Sequence, residues 1–64
     1  MLPACVQALS DEDGRVRARA ARALGRLAPL PRDAERALNR ALQDENEWVR
    51  AEAAKALRKG AARP

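Results

Sequence analysis

The chain repeats itself. Asp44 to Leu57, DENEWVRAEAAKAL, restates Asp11 to Leu24, DEDGRVRARAARAL, at an offset of 33 residues. Laid against itself at that offset, the 64-residue chain gives 14 identities in 31 ungapped pairs. Alanine matches arise by chance in so Ala-rich a chain. Asp-Glu and Val-Arg pairs falling in step do not. A fixed period of about 20–50 residues marks stacked-repeat folds, in which each unit buries its apolar face against the next. The pattern therefore predicts a single domain, residues 1–64, made of two units, about 1–30 and 31–64.

Within each unit the apolar spacing is helical. Leu2, Cys5, Val6 and Leu9 recur at i, i+3, i+4 and i+7, one face of a helix, and Pro3 suits its first turn. Asp13 is placed to cap a second helix over about Gly14 to Ala28, whose face is read as Val16, Ala20, Ala23, Leu24 and Leu27. Pro29 and Pro31 end it. Pro31 opens a third helix to about Gln43, with Ala34, Ala37, Leu38, Ala41 and Leu42 on its face. Asn46 caps a fourth from Glu47 to about Lys59, with Gly60 in the closing position. Strand-favouring β-branched residues are confined to Val6, Val16 and Val49. The expected fold is all-α, four helices in two antiparallel hairpins. Val16, Leu24, Val49 and Leu57 are its expected core.

Composition narrows the chemistry. One Cys and no His leave no internal disulfide and no ordinary zinc site, and Cys5 reads as a small buried hydrophobe in a reducing compartment. No apolar run approaches the roughly 18 residues of a membrane span, and no export signal is seen. A cytoplasmic location is expected. Alanine supplies 16 of the hydrophobic residues, so each contact buries little area and further burial must come from stacking. Thirteen Lys and Arg against nine acids give a net charge of +4, which suits anionic partners. No catalytic constellation is visible. The contiguous acids Asp11, Glu12 and Asp13 read as caps at a helix N-terminus rather than as a calcium loop, which needs alternating ligands.

Leu9-x-Asp11-x-Asp13-x-x-Val16-Arg17-x-x-Ala20-Ala21-x-Ala23-Leu24-Gly25 resembles the HEAT-like repeat, and in particular the short variety of phycobiliprotein lyases and bacterial scaffold proteins. The second copy, from Leu42 to Leu57, departs from it with Asn46 for the second acid and Arg58 for the glycine. The resemblance implies two HEAT-like helical hairpins stacked as a short αα-solenoid. It also implies that the second helices line a concave surface, and that Asp11, Arg17, Asp44 and Arg50 form a ladder joining successive units. The physical logic is that an Arg fork can hold a loop carboxylate or carbonyls of a neighbouring unit.

On that concave face Arg15, Arg19, Arg22 and Arg26 form one stripe, matched in the second unit by Trp48, Glu52, Lys55 and Lys59. These eight residues are the candidate binding surface. A plain solvated face is the alternative. Trp48 stands out because it replaces an arginine, and exposed Trp is enriched at binding hot spots. The expected function is a non-enzymatic protein-interaction or scaffold module without cofactor, taking an acidic protein surface. Two other classes follow from resemblance: phosphate-backbone binding, as in HEAT-like alkylpurine DNA glycosylases, and a bilin lyase-type subunit. Apolar residues at both ends of the chain lead to an expected homodimer, or to a piece of a longer array.

Overall fold

The computed structural model describes residues 7–27 and 30–61. Three helices, and no strand, are found among them: α1 (Gly14–Gly25), α2 (Arg32–Ala41) and α3 (Glu47–Ala61). The expectation of four helices in two hairpins is thus met by three. Gln7 and Ala8 are helical and Leu9 already lies in the turn that follows, while residues 2–6 of the expected first helix, Cys5 included, lie outside the described residues. So do Pro29 and the tail from residue 62. No helix among the described residues is long and apolar enough to cross a membrane.

Both caps form where the sequence places them. Asp13 Oδ1 accepts the Arg15 backbone N–H at 2.9 Å, and Asn46 Oδ1 accepts those of Trp48 at 2.8 Å and Val49 at 3.2 Å. Each satisfies N–H groups that have no partner inside their helix. The C-terminal boundaries shift. α1 stops at Gly25 rather than Ala28, because the Arg26 and Leu27 N–H groups bond back to Ala23 and Leu24 in tight three-residue turns. α3 runs through Gly60 to Ala61, so Gly60 does not end it. Pro31 is the cap residue of α2 rather than its first helical residue, extended at φ −63° and ψ 157°.

The core is Ala18, Ala21 and Leu24 of α1, Ala34, Leu38 and Ala41 of α2, and Val49, Ala53 and Ala56 of α3. Leu24 and Val49 are fully buried as expected, whereas Val16 and Leu57 are only half-buried. Two residues assigned to the α1 face, Ala23 and Leu27, are exposed, and Leu27 keeps 43% of its surface. Their places inside go to Ala18 and Ala21. The reason is that α1 packs chiefly against α3 and only slightly against α2.

Glycine sets how close α1 and α3 come. A Cβ on Gly25 would stand 2.9 Å from Ala56 Cα and 3.0 Å from its Cβ, and one on Gly14 would collide with the Asn46 side chain. At Gly25 the obstacle is backbone and cannot swing away. The two helices therefore meet along a stripe of Gly14, Ala18, Ala21 and Gly25 against Asn46, Val49, Ala53 and Ala56. Both stripes have the spacing of a single helix face.

A polar clamp fixes the register of that contact. Arg17 donates from Nε to Asp44 Oδ2 at 2.9 Å and from Nη2 to Asp44 Oδ1 at 3.1 Å. Its Nη1 donates to the carbonyls of Asp11 at 2.7 Å and Glu12 at 3.0 Å. Arg17 thus holds the loop of its own unit and the carboxylate of the next. Arg50 repeats the first half of this pattern, donating from Nη1 to the Asp44 carbonyl at 2.6 Å. Burial works against ionisation of Asp44. The Arg17 guanidinium, the Asn46 N–H and the charge of Arg50 outweigh it and hold the carboxyl below its usual value.

Two outcomes follow for stability. Gly25→Ala should cost about 1–3 kcal/mol by overpacking, and Leu24→Ala about 2–5 kcal/mol by leaving a cavity, both read by urea unfolding. Unchanged midpoints would refute the packing described. Because the folded pKa of Asp44 is depressed, its contribution is complete above the unfolded carboxyl value near 3.9 and is lost as pH falls through the lower folded value. Melting temperature should therefore drop below about pH 4, and Asp44→Asn should be less stable at neutral pH with a shallower acid limb. An Asp44→Asn acid limb parallel to that of the parent would refute this assignment.

Candidate functional site

Beside the tight contact of Gly25 with Ala56, α1 and α3 border a cleft of about 330 Å³. Gly25 and Ala56 line it together with Arg22 and Arg26 of α1 and Glu52, Lys55 and Lys59 of α3. Residues four apart on a helix lie about 6 Å apart along its axis, and packed helices about 8–10 Å from each other. Arg22 and Arg26 are thus about one turn apart on α1, and Lys55 and Lys59 about one turn apart on α3. None of them makes an ion pair with another described residue. Glu52 is the single acid in the cleft, and its Oε2 is engaged at 3.3 Å by the Trp48 indole N–H.

Five of the eight candidate residues are therefore brought together. The other three are not. Arg15 turns back to its own cap, with Nη2 at 3.2 Å from Asp13 Oδ2, both side chains well exposed. The bond from the Arg15 side chain, reinforced by its backbone N–H, lowers the Asp13 pKa, and the same bond raises that of Arg15. Arg19 is exposed and stands outside the cleft. Trp48 is 42% exposed on α3, outside the lining, and touches the site only through Glu52. The glycine floor was not foreseen as part of the site. Its signal was present in Gly25 at the end of the first motif, but its partner Ala56 is visible only in three dimensions.

The acids at the loop do not converge. Asp11 Oδ1 accepts the Asp13 backbone N–H at 2.8 Å, and Asp13 serves the helix cap. Among the described residues no group of three or more His, Cys, Asp or Glu could hold a metal ion.

Helices laid side by side, a repeat of 33 residues and a loop-to-helix clamp between units define an all-helical stacked-repeat protein. A family model of HEAT repeats matches residues 2–61, and the chain belongs to that family. The match is to HEAT repeats in general and does not single out the phycobiliprotein-lyase type. No curated protein and no solved structure shows significant similarity to the chain. HEAT repeats commonly mediate protein–protein interaction.

If Trp48 belongs to a surface rather than to the core, Trp48→Ala should cost no more than about 1 kcal/mol in urea unfolding. A loss as large as that of Leu24→Ala would place it in the core.

Proposed function

We propose that this protein is a non-enzymatic interaction module, two HEAT-like hairpins of a short αα-solenoid, which holds an acidic segment of a partner protein in the α1–α3 cleft. The observation that carries this reading is the set of four cations, Arg22, Arg26, Lys55 and Lys59, around one cleft without ion partners among the described residues. Held apart in this way, they repel one another and leave a positive potential that a polyanion would relieve.

The shape of the charge favours separated carboxylates over a phosphate. Arg22 lies in the last turn of α1 and Lys59 in that of α3, where the negative ends of the helix dipoles partly offset the cations. A concentrated dianion there would meet carbonyl oxygens as well as Glu52. An extended peptide with acids at alternate positions instead spaces its charges about 6.6 Å apart, close to the 6 Å of each cationic row. Trp48, tied to Glu52, then stands at the margin of the bound segment.

The test uses Trp48 fluorescence while a peptide of alternating Glu residues is titrated at low and moderate salt, with duplex DNA as the second ligand. Peptide binding that weakens with salt and is lost in Arg22→Glu/Lys55→Glu, but not in Arg36→Glu on α2, supports the proposal. No binding at low salt would overturn it. Tighter binding of DNA, with a steep salt dependence abolished by the same double variant, would replace it with the phosphate-backbone reading.

A further inference from the structure

The contact between the two units is written in residues that recur 33 positions apart, so the same contact can be sought at the outer faces. Asp11 and Asp44 are set alike. Asp11 Oδ1 accepts the N–H of Asp13 at 2.8 Å, and Asp44 Oδ1 accepts that of Asn46 at 2.9 Å. Arg17 and Arg50 are also set alike, with Nη1 on the carbonyl of Asp11 at 2.7 Å and of Asp44 at 2.6 Å. What differs is the second half of the clamp. Arg17 spends Nε and Nη2 on the Asp44 carboxylate. Among the described residues, Nε and Nη2 of Arg50 have no acceptor, and the Asp11 carboxylate receives no arginine.

The apolar stripes follow the same rule. Carried forward by 33 residues, the α1 stripe becomes Glu47, Ala51, Ala54 and Arg58 on the far side of α3. Carried back, the α3 stripe becomes Asp13, Val16, Ala20 and Ala23 on the far side of α1. Ala51 and Ala23 are exposed, Ala54 and Val16 half-buried, and Ala20 buried. One end of the molecule thus offers an arginine fork above small residues, and the other a preset carboxylate above small residues.

We infer that a second copy of this chain stacks head-to-tail on the first, the Arg50 fork of one copy gripping the Asp11 carboxylate of the next as Arg17 grips Asp44 within the chain. The interface is heterologous, the two partners using different faces, so it propagates rather than closing as a two-fold dimer. It is also looser than its internal template. Glu47 and Arg58 occupy the positions of Gly14 and Gly25, where a mere Cβ already meets backbone or a cap side chain. Arg58 keeps the added copy from the close approach made at Gly25, and Glu47 comes to face Asp13. Self-association is therefore weak and salt-sensitive, and rises with concentration.

Sedimentation over a hundredfold concentration range tests this. The wild-type mass should climb beyond twice the 7.0 kDa of one chain. Arg50→Glu and Asp11→Lys should each stay monomeric, while their equimolar mixture, which restores the Arg50–Asp11 pair at one kind of junction and sets the two reversed charges against each other at the other, should associate again. Asp11→Asn keeps the turn acceptor and so the fold, checked by circular dichroism, and should weaken association without unfolding. Glu47→Gly/Arg58→Gly should strengthen it. A wild type that is monomeric throughout, association that survives both charge reversals, or a mixture that remains monomeric would each overturn the inference. Arg22→Glu/Lys55→Glu, which probes the cleft, leaves Arg50 and Asp11 intact, so failure of the two proposals is distinguishable.

Discussion

Arg17 is the residue on which the arrangement of the two units depends. Its guanidinium reaches both oxygens of Asp44 and two carbonyls of its own loop. Asp44 passes the constraint on, because the oxygen bonded to Nη2 also receives the N–H of Asn46, whose side chain caps α3. A continuous line of bonds therefore runs from the first loop, through α1, to the first turn of α3. The pair is largely withdrawn from water, 13% and 15% exposed, so neither charge could be left alone without a desolvation cost. Planar bidentate geometry is what allows an arginine, and not a lysine, to do this.

The need for such a clamp comes from the alanines. Ala18, Ala21, Ala53 and Ala56 present nearly identical small knobs, and burying them yields little energy per contact. A contact made of equal knobs tolerates a slip of one turn with little change in buried area. Gly14 and Gly25 restrict that slip sterically, and Arg17 restricts it by hydrogen bonding. Burial holds the helices together, whereas the glycines and the arginine decide where along each other they sit.

Much of this is legible in the sequence, and what is not has two physical causes. The 33-residue offset exposed the two units, and Asp13 and Asn46 announced their helices because capping is a local act of one side chain on the next two or three N–H groups. The face of α1 was misjudged at Ala23 and Leu27 because a single amphipathic stripe is the template for a helix lying on one core. A helix in a stack has a neighbour on one side and another contact face opposite, and periodicity alone merges the two. Ala18 and Ala21 lie in the core shared with α3, whereas Val16 is half-buried and Ala23 exposed. In the candidate site the same arithmetic aligned Arg15 with Arg22, but could not show that Arg15 is spent on Asp13 while Arg22 is not. Spacing gives direction along a helix, and local pairing then decides which charges remain available.

Cleft and stacking faces lie on the same two helices, and this couples them. A copy added at the Arg50 end would bring its Arg22 and Arg26 row beside the Lys55 and Lys59 row of the first, making a second cationic cleft across the new junction. Like charges brought side by side oppose that addition by a few tenths of a kcal/mol or more per pair in water. A long acidic segment lying across both clefts removes the repulsion and adds a second point of attachment at high effective concentration. By linkage, a ligand that binds the stack better than the single copy must drive stacking by the same factor. If both proposals hold, a polyglutamate long enough to span two clefts raises the sedimenting mass at fixed protein concentration, and one that fits a single cleft does not. Equal masses with the long and the short ligand would show that the clefts are filled independently of assembly.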